Sequence, residues 1–514
     1  MSASVHSNFA GRIAERLGSN SALLDASTLE SFDAETIRTS IADFAAAFSA
    51  AGLRFGDRIL ISCSLHPLSS IAYLGAMFGG LVPVPVSEAG LASSGEALCR
   101  KAGARALWTE RVTARGWAEA LRLIKFYGRM QGPNARVACA VREDNPAALM
   151  PTSGSTGEPK LVSVTHGNLI ANTEAIIRSQ HLGSDESAML ILPVSYCFGA
   201  SVLHTHLYQG GAVVFDSRFM FPDKVLSAIA DHRCTTFAGV PTVYNILARR
   251  SNIAKLPVPT LRRLLQAGGA LAVERIEQIR SAVPHAQFFV MYGQTEATSR
   301  ISCLPPHRLG DKLGSAGMPL DNLSIRILDS DGAEVPMGQT GELWVSGPSV
   351  CPGYYDDLEE TRRKYHQGWL ATGDIASKDA EGFLWITGRK SEFVKMRGIR
   401  VSFAEIESTV SAVRGVSECA ALALPHAEAG EAVALYVVVV GAADEVCASI
   451  RRSVPKDWVC DSVRLVQALP RNAHGKLLRP RLAELPCVAY PLGAAIADRA
   501  RPQGAPRTTQ ASSM

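Results

Sequence analysis

Residues 152–160 read Thr152, Ser153, Gly154, Ser155, Thr156, Gly157, Glu158, Pro159 and Lys160. Gly154 and Gly157 let a backbone come close to a ligand. Their amides, with the hydroxyls of Ser153, Ser155 and Thr156, make a donor-rich nest suited to phosphate oxygens. Lys160 adds a point charge for a polyphosphate. The Gly-x-x-x-x-Gly-Lys-Ser/Thr spacing of a P-loop cannot be written on this run. A second group lies at Tyr292, Gly293, Gln294, Thr295 and Glu296. Gly293 permits a sharp turn, Tyr292 offers a flat face to a purine, and Thr295 offers a hydroxyl near a phosphate. Glu296 is a hard oxygen ligand of the kind that holds Mg2+ on a nucleotide. The plainer reading of this group is a Tyr-Gly turn with an acidic residue at a helix start. Asp374, which follows Gly373, can accept two ribose hydroxyls with its two oxygens, although an Asx turn is the commoner use.

These residues need a frame that holds them. Between about 31 and 291, short apolar runs alternate with helical stretches. Strands are expected at 59–62, 81–86, 212–215, 235–240, 264–267 and 288–291, with helices at 68–78, 224–231, 242–250 and 273–282. That alternation predicts an α/β fold of doubly wound, parallel sheets, in which ligands bind outside the carboxyl ends of the strands. The Gly/Ser run, the pair Gly268 and Gly269, and the group at Tyr292 each follow such a strand. From about 320 to 388 tight turns separate short strands, the pattern of a small barrel-like subdomain. Beyond it come a helix at 404–413, strands at 419–424 and 432–440, a helix at 443–452 and a strand at 463–466. These suffice for a separate α+β domain of about a hundred residues. Residues 487–514 turn to Ala, Gly, Pro, Arg, Ser and Thr and are expected to be a disordered tail.

Gly388 and Arg389, the basic turn around Gly398, and the run from Pro470 to Lys476 complete the set. In their order and spacing, from Thr152 to Lys476, the motifs resemble those of the ANL superfamily of AMP-forming adenylating enzymes. That superfamily includes acyl- and aryl-CoA synthetases, stand-alone adenylation domains and luciferases. The resemblance covers nearly all but the termini. It implies an N-terminal domain over 1–388 and a small mobile C-terminal lid over 389–486. It implies a nucleotide site made of Thr152 through Gly157, Lys160, Gly268, Gly269, Tyr292, Gly293, Thr295, Asp374 and Arg389. Lys476, Thr295 and Glu296 would be catalytic, Glu296 would hold the metal, and Gly398 would line a thiol channel. The family usually keeps Asp or Lys two residues beyond the ribose arginine, at the pivot. Here Ser391 stands there with Lys390 before it, so the pivot is at one or the other.

The chemistry implied is activation of a carboxylate by ATP and Mg2+ to an acyl-adenylate. The acyl group then passes to the thiol of CoA or of a carrier protein's phosphopantetheine. Tyr196, Phe198, Gly199, Ala267 and Gly268 are the expected acid-binding residues. Amino-acid-activating relatives present an aspartate to the substrate ammonium where this chain has Gly199. A buried ammonium without a counter-charge is costly, so the acid is expected to lack a free α-amine. The small residues there are expected to leave open space for an acyl chain or ring. A stand-alone amino-acid adenylation enzyme that loads a separate carrier protein is the alternative. An oxygenase or a binding protein with a decayed site is a third class; the intact Lys160, Glu296 and Lys476 argue against decay. His204 and His206, at i and i+2, diverge on a helix and read as polar helix residues rather than a metal pair.

The chain has 514 residues, 47% hydrophobic and 19% charged, with a net charge of +4. So weak a charge argues against a dedicated nucleic-acid binder, which would show a concentrated basic face. Its eleven cysteines include no Cys-x-x-Cys pair, which suits reduced thiols and a cytoplasmic location. No apolar run is long enough to span a bilayer.

Overall fold

A computed structural model describes residues 3–110, 122–124, 137–153, 159–390, 392–397, 399–471 and 477–491. The chain divides into two compact units, the larger running to Ser391 and the smaller starting at Glu392.

The larger unit is built on a nine-stranded sheet. Strands Ala22–Asp25, Ala212–Phe215, Ser187–Leu190, Thr236–Gly239, Arg263–Gln266 and Gln287–Tyr292 pair side by side in parallel. Ser302–Leu304 and Met318–Pro319 extend it antiparallel beyond Gln287–Tyr292. A second, parallel sheet joins Val82–Ser87, Arg58–Cys63, Ala106–Trp108 and Arg122–Ile124. The parallel strands are apolar because helices cover both faces. Several of those helices start on proline, whose fixed φ suits a first turn: Pro67–Phe78, Pro222–Asp231 and Pro241–Arg250.

Two antiparallel pieces complete the unit. Pro146–Ser153 and Pro159–Thr165 form a hairpin with Thr152 opposite Lys160, and Gly353–Tyr354 adds a third strand. The strand then caps the next helix, His166–Gln180, through a reciprocal pair between Thr165 and Asn168. The barrel-like region is a five-stranded antiparallel sheet of Ser324–Leu328, Gly341–Ser346, Tyr365–His366, Trp369–Lys378 and Leu384–Arg389. Its core is Ile327, Leu343, Val345, Leu370, Ala376 and Leu384.

The smaller unit is a six-stranded sheet with helices Phe403–Ser411 and Ala443–Ser453. Its middle strand, Gly430–Val439, is entirely apolar from Val433 to Val439 apart from the Tyr436 hydroxyl, and it pairs on both sides.

Two expected boundaries move. The joint falls after Ser391 rather than after 388, because Arg389 is still paired with Asp374 across the antiparallel sheet. Val488–Pro491, placed in the tail by composition, is a strand bonded to Cys460–Leu465, so its carbonyls and amides have partners. Among the described residues no helix is long and apolar enough to cross a membrane.

Candidate active site

The Gln287–Tyr292 strand ends on Tyr292 at the carboxyl edge of the parallel sheet. Gly293 follows, and the loop then folds back on itself. A Cβ on Gly293 would lie 1.8 Å from the Ser299 carbonyl oxygen, so close approach, not a positive φ, excludes a side chain here. The Tyr292 hydroxyl donates to Asp374 Oδ2 at 2.5 Å, and Arg389 Nε lies 3.1 Å from Asp374 Oδ1. Asp374 and Arg389 face each other across adjacent strands, which fixes their distance by register. Thr372 Oγ1 receives the Asp374 amide and donates to the Leu343 carbonyl. Burial, then the Asp374 charge, pushes the Tyr292 hydroxyl well up, so it stays a donor. Tyr292 thus enters by its hydroxyl as well as its ring.

Glu296 sits in the short helix Thr295–Ala297. Its Oε1 accepts from the Tyr354 hydroxyl at 2.6 Å. Its carbonyl takes the Cys351 amide at 3.0 Å and the Tyr365 hydroxyl at 3.4 Å. Among the described residues there is no cluster of three or more metal-ligating side chains. One hard carboxylate held in place by a tyrosine fits a cation that arrives with its own oxygen ligands, as Mg2+ on a polyphosphate does. Thr295, expected beside a phosphate, has its side chain hydrogen-bonded to the buried Cys197 thiol.

Lys160, expected as a charge for phosphate, is ion-paired to Glu360 at 2.7 Å and lies 5.6 Å above the Tyr354 ring. Burial would raise the Glu360 pKa; Arg363 and Lys160 overcome it and hold the carboxyl down at about 2. The hairpin register brings Thr152 and Lys160 together at its turn end, next to the pair Ser153 and Pro159. Gly154, Ser155, Thr156 and Gly157 lie outside the described residues, as do Gly398 and Lys476, and only the backbone of Ser153 is described.

The residues expected to bind the acid converge, but not around open space. Tyr196 and Phe198 pack edge to face with centroids 6.4 Å apart. Gly268 has φ +88°, and a Cβ there would lie 2.6 Å from the Tyr196 hydroxyl. Gly199 corrects the expectation of a vacancy: a Cβ there would lie 2.4 Å from the Pro193 carbonyl oxygen. Its lack of a side chain lets helix Cys197–Tyr208 press on the preceding loop. Ala267 is buried, its amide on the Gly239 carbonyl. Gly269 is more open, its nearest neighbour the Pro241 ring. His204 and His206 are both buried in the core. Desolvation lowers their pKa values to about 3 and about 4, so both are neutral.

Two residues had no motif to announce them. Lys364 Nζ donates to the Ala371 and Thr372 carbonyls at 3.4 and 3.3 Å. Burial lowers its pKa, while the charges of Glu296 and Asp374 pull the other way. It is therefore within electrostatic reach of both carboxylates of the site. Arg300 is 2% exposed, in the same loop as Glu296, with its guanidinium carbon 5.1 Å from the centre of the Phe198 ring. Lys364 hides in a basic run with Arg362 and Arg363. The one signal for Arg300 is a charged residue beginning the apolar turn before strand Ser302–Leu304.

The fold and this site define a nucleotide-dependent carboxylate-activating enzyme, and comparison gives the family. The chain belongs to the AMP-binding enzymes: the family's main domain matches residues 22–355 and its C-terminal domain residues 405–476. It is 31% identical over 455 residues to a feruloyl-CoA synthase from Amycolatopsis sp, covering 85% of this chain and 91% of that protein. It is 34% identical over 349 residues to a 2-succinylbenzoate–CoA ligase from Bacillus velezensis, covering 66% and 69%. The o-succinylbenzoate CoA synthetase of Bacillus subtilis, solved with its acyl-adenylate, superposes with a TM-score of 0.82 at 26% identity over 92% of this chain and 97% of that one. ATP-bound MatB from Rhodopseudomonas palustris gives 0.82 at 25% identity over 93% and 98%. The chain is an AMP-forming acid–thiol ligase of the ANL superfamily.

Proposed function

We propose that this protein activates a carboxylic acid lacking a free α-amine as its acyl-adenylate, using ATP and Mg2+, and transfers the acyl group to CoA. The observation that carries the reading is the hydrogen-bonded set Tyr292, Asp374 and Arg389 beside Glu296 and Tyr354, all at one strand end. Asp374 and Arg389 present a carboxylate and a guanidinium to the ribose. Bound at Glu296, Mg2+ would neutralise phosphate charge as it builds up on the leaving pyrophosphate. The chain's own work is positioning. The carboxylate oxygen of the acid attacks the α-phosphorus, pyrophosphate leaves, and a thiolate then displaces AMP from the acyl carbon. Lys476, by resemblance, serves the first step and Gly398 the second.

The acceptor assigned here is CoA because the relatives carry that name, feruloyl-CoA synthase among them. An amino-acid substrate is disfavoured by charge. The ionic side chain next to Phe198 is the cation of Arg300, which would repel an α-ammonium. The test is pyrophosphate release across a panel of acids, repeated with CoA and with purified carrier proteins. AMP and an acyl-CoA are the expected products. ADP as the stoichiometric product would overturn the reading, and acylation of carrier protein in preference to CoA would overturn the acceptor.

A further inference from the structure

Among the described residues of the larger unit, Arg300 is the most deeply buried arginine. Its backbone is tied down: its amide donates to Asn172 Oδ1 at 3.3 Å and its carbonyl accepts from Asn172 Nδ2 at 2.9 Å. Its guanidinium is not matched. One Nη lies against the Met291 thioether, and the plane faces the Phe198 ring. The polar groups that act on it are Cys197, Cys303 and Tyr196, none of which is a carboxylate. Among the described residues no acidic side chain comes within ion-pair distance of it, although it is 2% exposed. A buried guanidinium needs an anion, because a thioether and a ring recover little of its lost hydration. The other buried arginine among the described residues, Arg263, is paired with Glu186.

The surroundings say what the anion belongs to. Phe198 and Tyr196, which pack edge to face, are expected from the resemblance to bind the acid, and a Cβ on Gly268 would meet the Tyr196 hydroxyl. The guanidinium therefore faces the acid side of the site. Its depth separates it from the reacting carboxylate. Met291 precedes Tyr292 on its strand, and Cys303 is Met291's cross-strand partner. Both lie one step into the sheet from the edge at which Tyr292 meets Asp374. Chemistry on the α-phosphate takes place outside that edge.

We propose that the acid this enzyme activates carries a second carboxylate, which seats on Arg300 while the first is adenylated. The inference rests on the ligase reading above and names its substrate class. The acyl body lies along Phe198 and Tyr196. The second carboxylate supplies the buried guanidinium with a planar, two-oxygen partner. A neutral acid of the same shape leaves Arg300 unpaired and is rejected for that reason.

The test uses the full-length protein with matched pairs of aliphatic and aromatic acids, each diacid set against its half-amide, and a sulfonate analogue as a third arm. Pyrophosphate release with ATP and Mg2+ gives kcat/KM. The diacid is expected to exceed its half-amide by roughly a hundredfold or more, mostly in KM. Arg300→Met should remove that preference, bringing kcat/KM for the diacid down to that of the half-amide in the same variant; Arg300→Lys should restore part of it. A sulfonate that matches the carboxylate would widen the substrate class to second anions in general and overturn the restriction to dicarboxylates. Wild-type preference for the half-amide, or equal loss of both substrates in a folded Arg300→Met, would overturn the proposal. Should Arg300→Met fail to fold, the wild-type melting temperature decides: the diacid must raise it more than the half-amide does. If no acid releases pyrophosphate while the diacid still stabilises the protein selectively, the ligase reading falls and the Arg300 site stands.

Discussion

Asp374→Asn keeps the shape of the side chain and removes its charge. Asp374 is 4% exposed and holds the Tyr292 hydroxyl on one oxygen and Arg389 Nε on the other at 3.1 Å. The Arg389 side chain is 44% exposed, so that ion pair contributes under about 1 kcal/mol to the fold. The Tyr292 bond is shielded from water, and changing it from a charged to a neutral acceptor costs about 1 kcal/mol. Stability should therefore fall by about 1–2 kcal/mol. The nucleotide loses more. Two O–H···O⁻ bonds to ribose become at most one neutral bond, a loss of about 2–3 kcal/mol, or a rise of roughly 30- to 150-fold in the KM for ATP. ATP–pyrophosphate exchange at saturating acid measures the second quantity, and urea unfolding measures the first. A KM within about threefold of wild type, in a variant destabilised as calculated, would show that Asp374 only ties Tyr292 to the neighbouring sheet.

Glu296→Gln should depress adenylation by roughly a hundredfold and raise the Mg2+ needed for half-maximal exchange; an unchanged Mg2+ titration would remove Glu296 from the metal. Lys364→Met should raise the KM for ATP by about tenfold with the KM for the acid unchanged, as read by exchange kinetics. Because burial lowers the Lys364 pKa below its usual 10.5, the wild-type KM for ATP should climb as pH rises through that lowered value, and the variant should lack the climb. Glu360 has its folded pKa depressed from 4.5 to about 2, so its ionised form stabilises the fold above the unfolded value and loses that contribution as pH falls from about 4.5 toward 2. Glu360→Gln should cost about 1–3 kcal/mol at neutral pH in urea titrations, and the gap to wild type should close in acid; a gap independent of pH refutes the pairing with Lys160.

The parallel sheet was readable because strands buried on both faces are continuous apolar runs. The strand at 212–215 and the helix at 273–282 fall at their expected bounds, Ala212–Phe215 and Val273–Ala282. The grouping of Tyr292, Asp374 and Arg389 was readable because a tyrosine, an aspartate and an arginine, each beside a glycine at fixed spacing, have few other joint uses. Val488–Pro491 was misread because its partner strand is distant in sequence and its composition is that of a tail. Gly199 was misread for a related reason. A missing side chain has the same spelling whether it opens a pocket or admits a carbonyl, and the Pro193 oxygen that fills the space is a tertiary fact. Arg300 and Lys364 were missed because one charged residue in a chain of this length carries no signal until its partners are known.

The two ends of the site are specified in different ways. At the nucleotide end, backbone register does the placing. Asp374 and Arg389 are cross-strand partners, Tyr292 terminates a central strand, and Gly373 has φ +76°, where an added Cβ would lie 3.0 Å from Lys364 Nζ. A substitution there disturbs a geometry that several elements share. At the proposed acid end the backbone is closed against itself at Gly199, which leaves side chains such as Tyr196, Phe198 and Arg300 to discriminate. These side chains can change charge without moving Tyr292, Asp374 or Glu296. On the proposal above, changes at Arg300 should alter the acid that is used while the KM for ATP stays within about threefold of wild type, as ATP–pyrophosphate exchange would read.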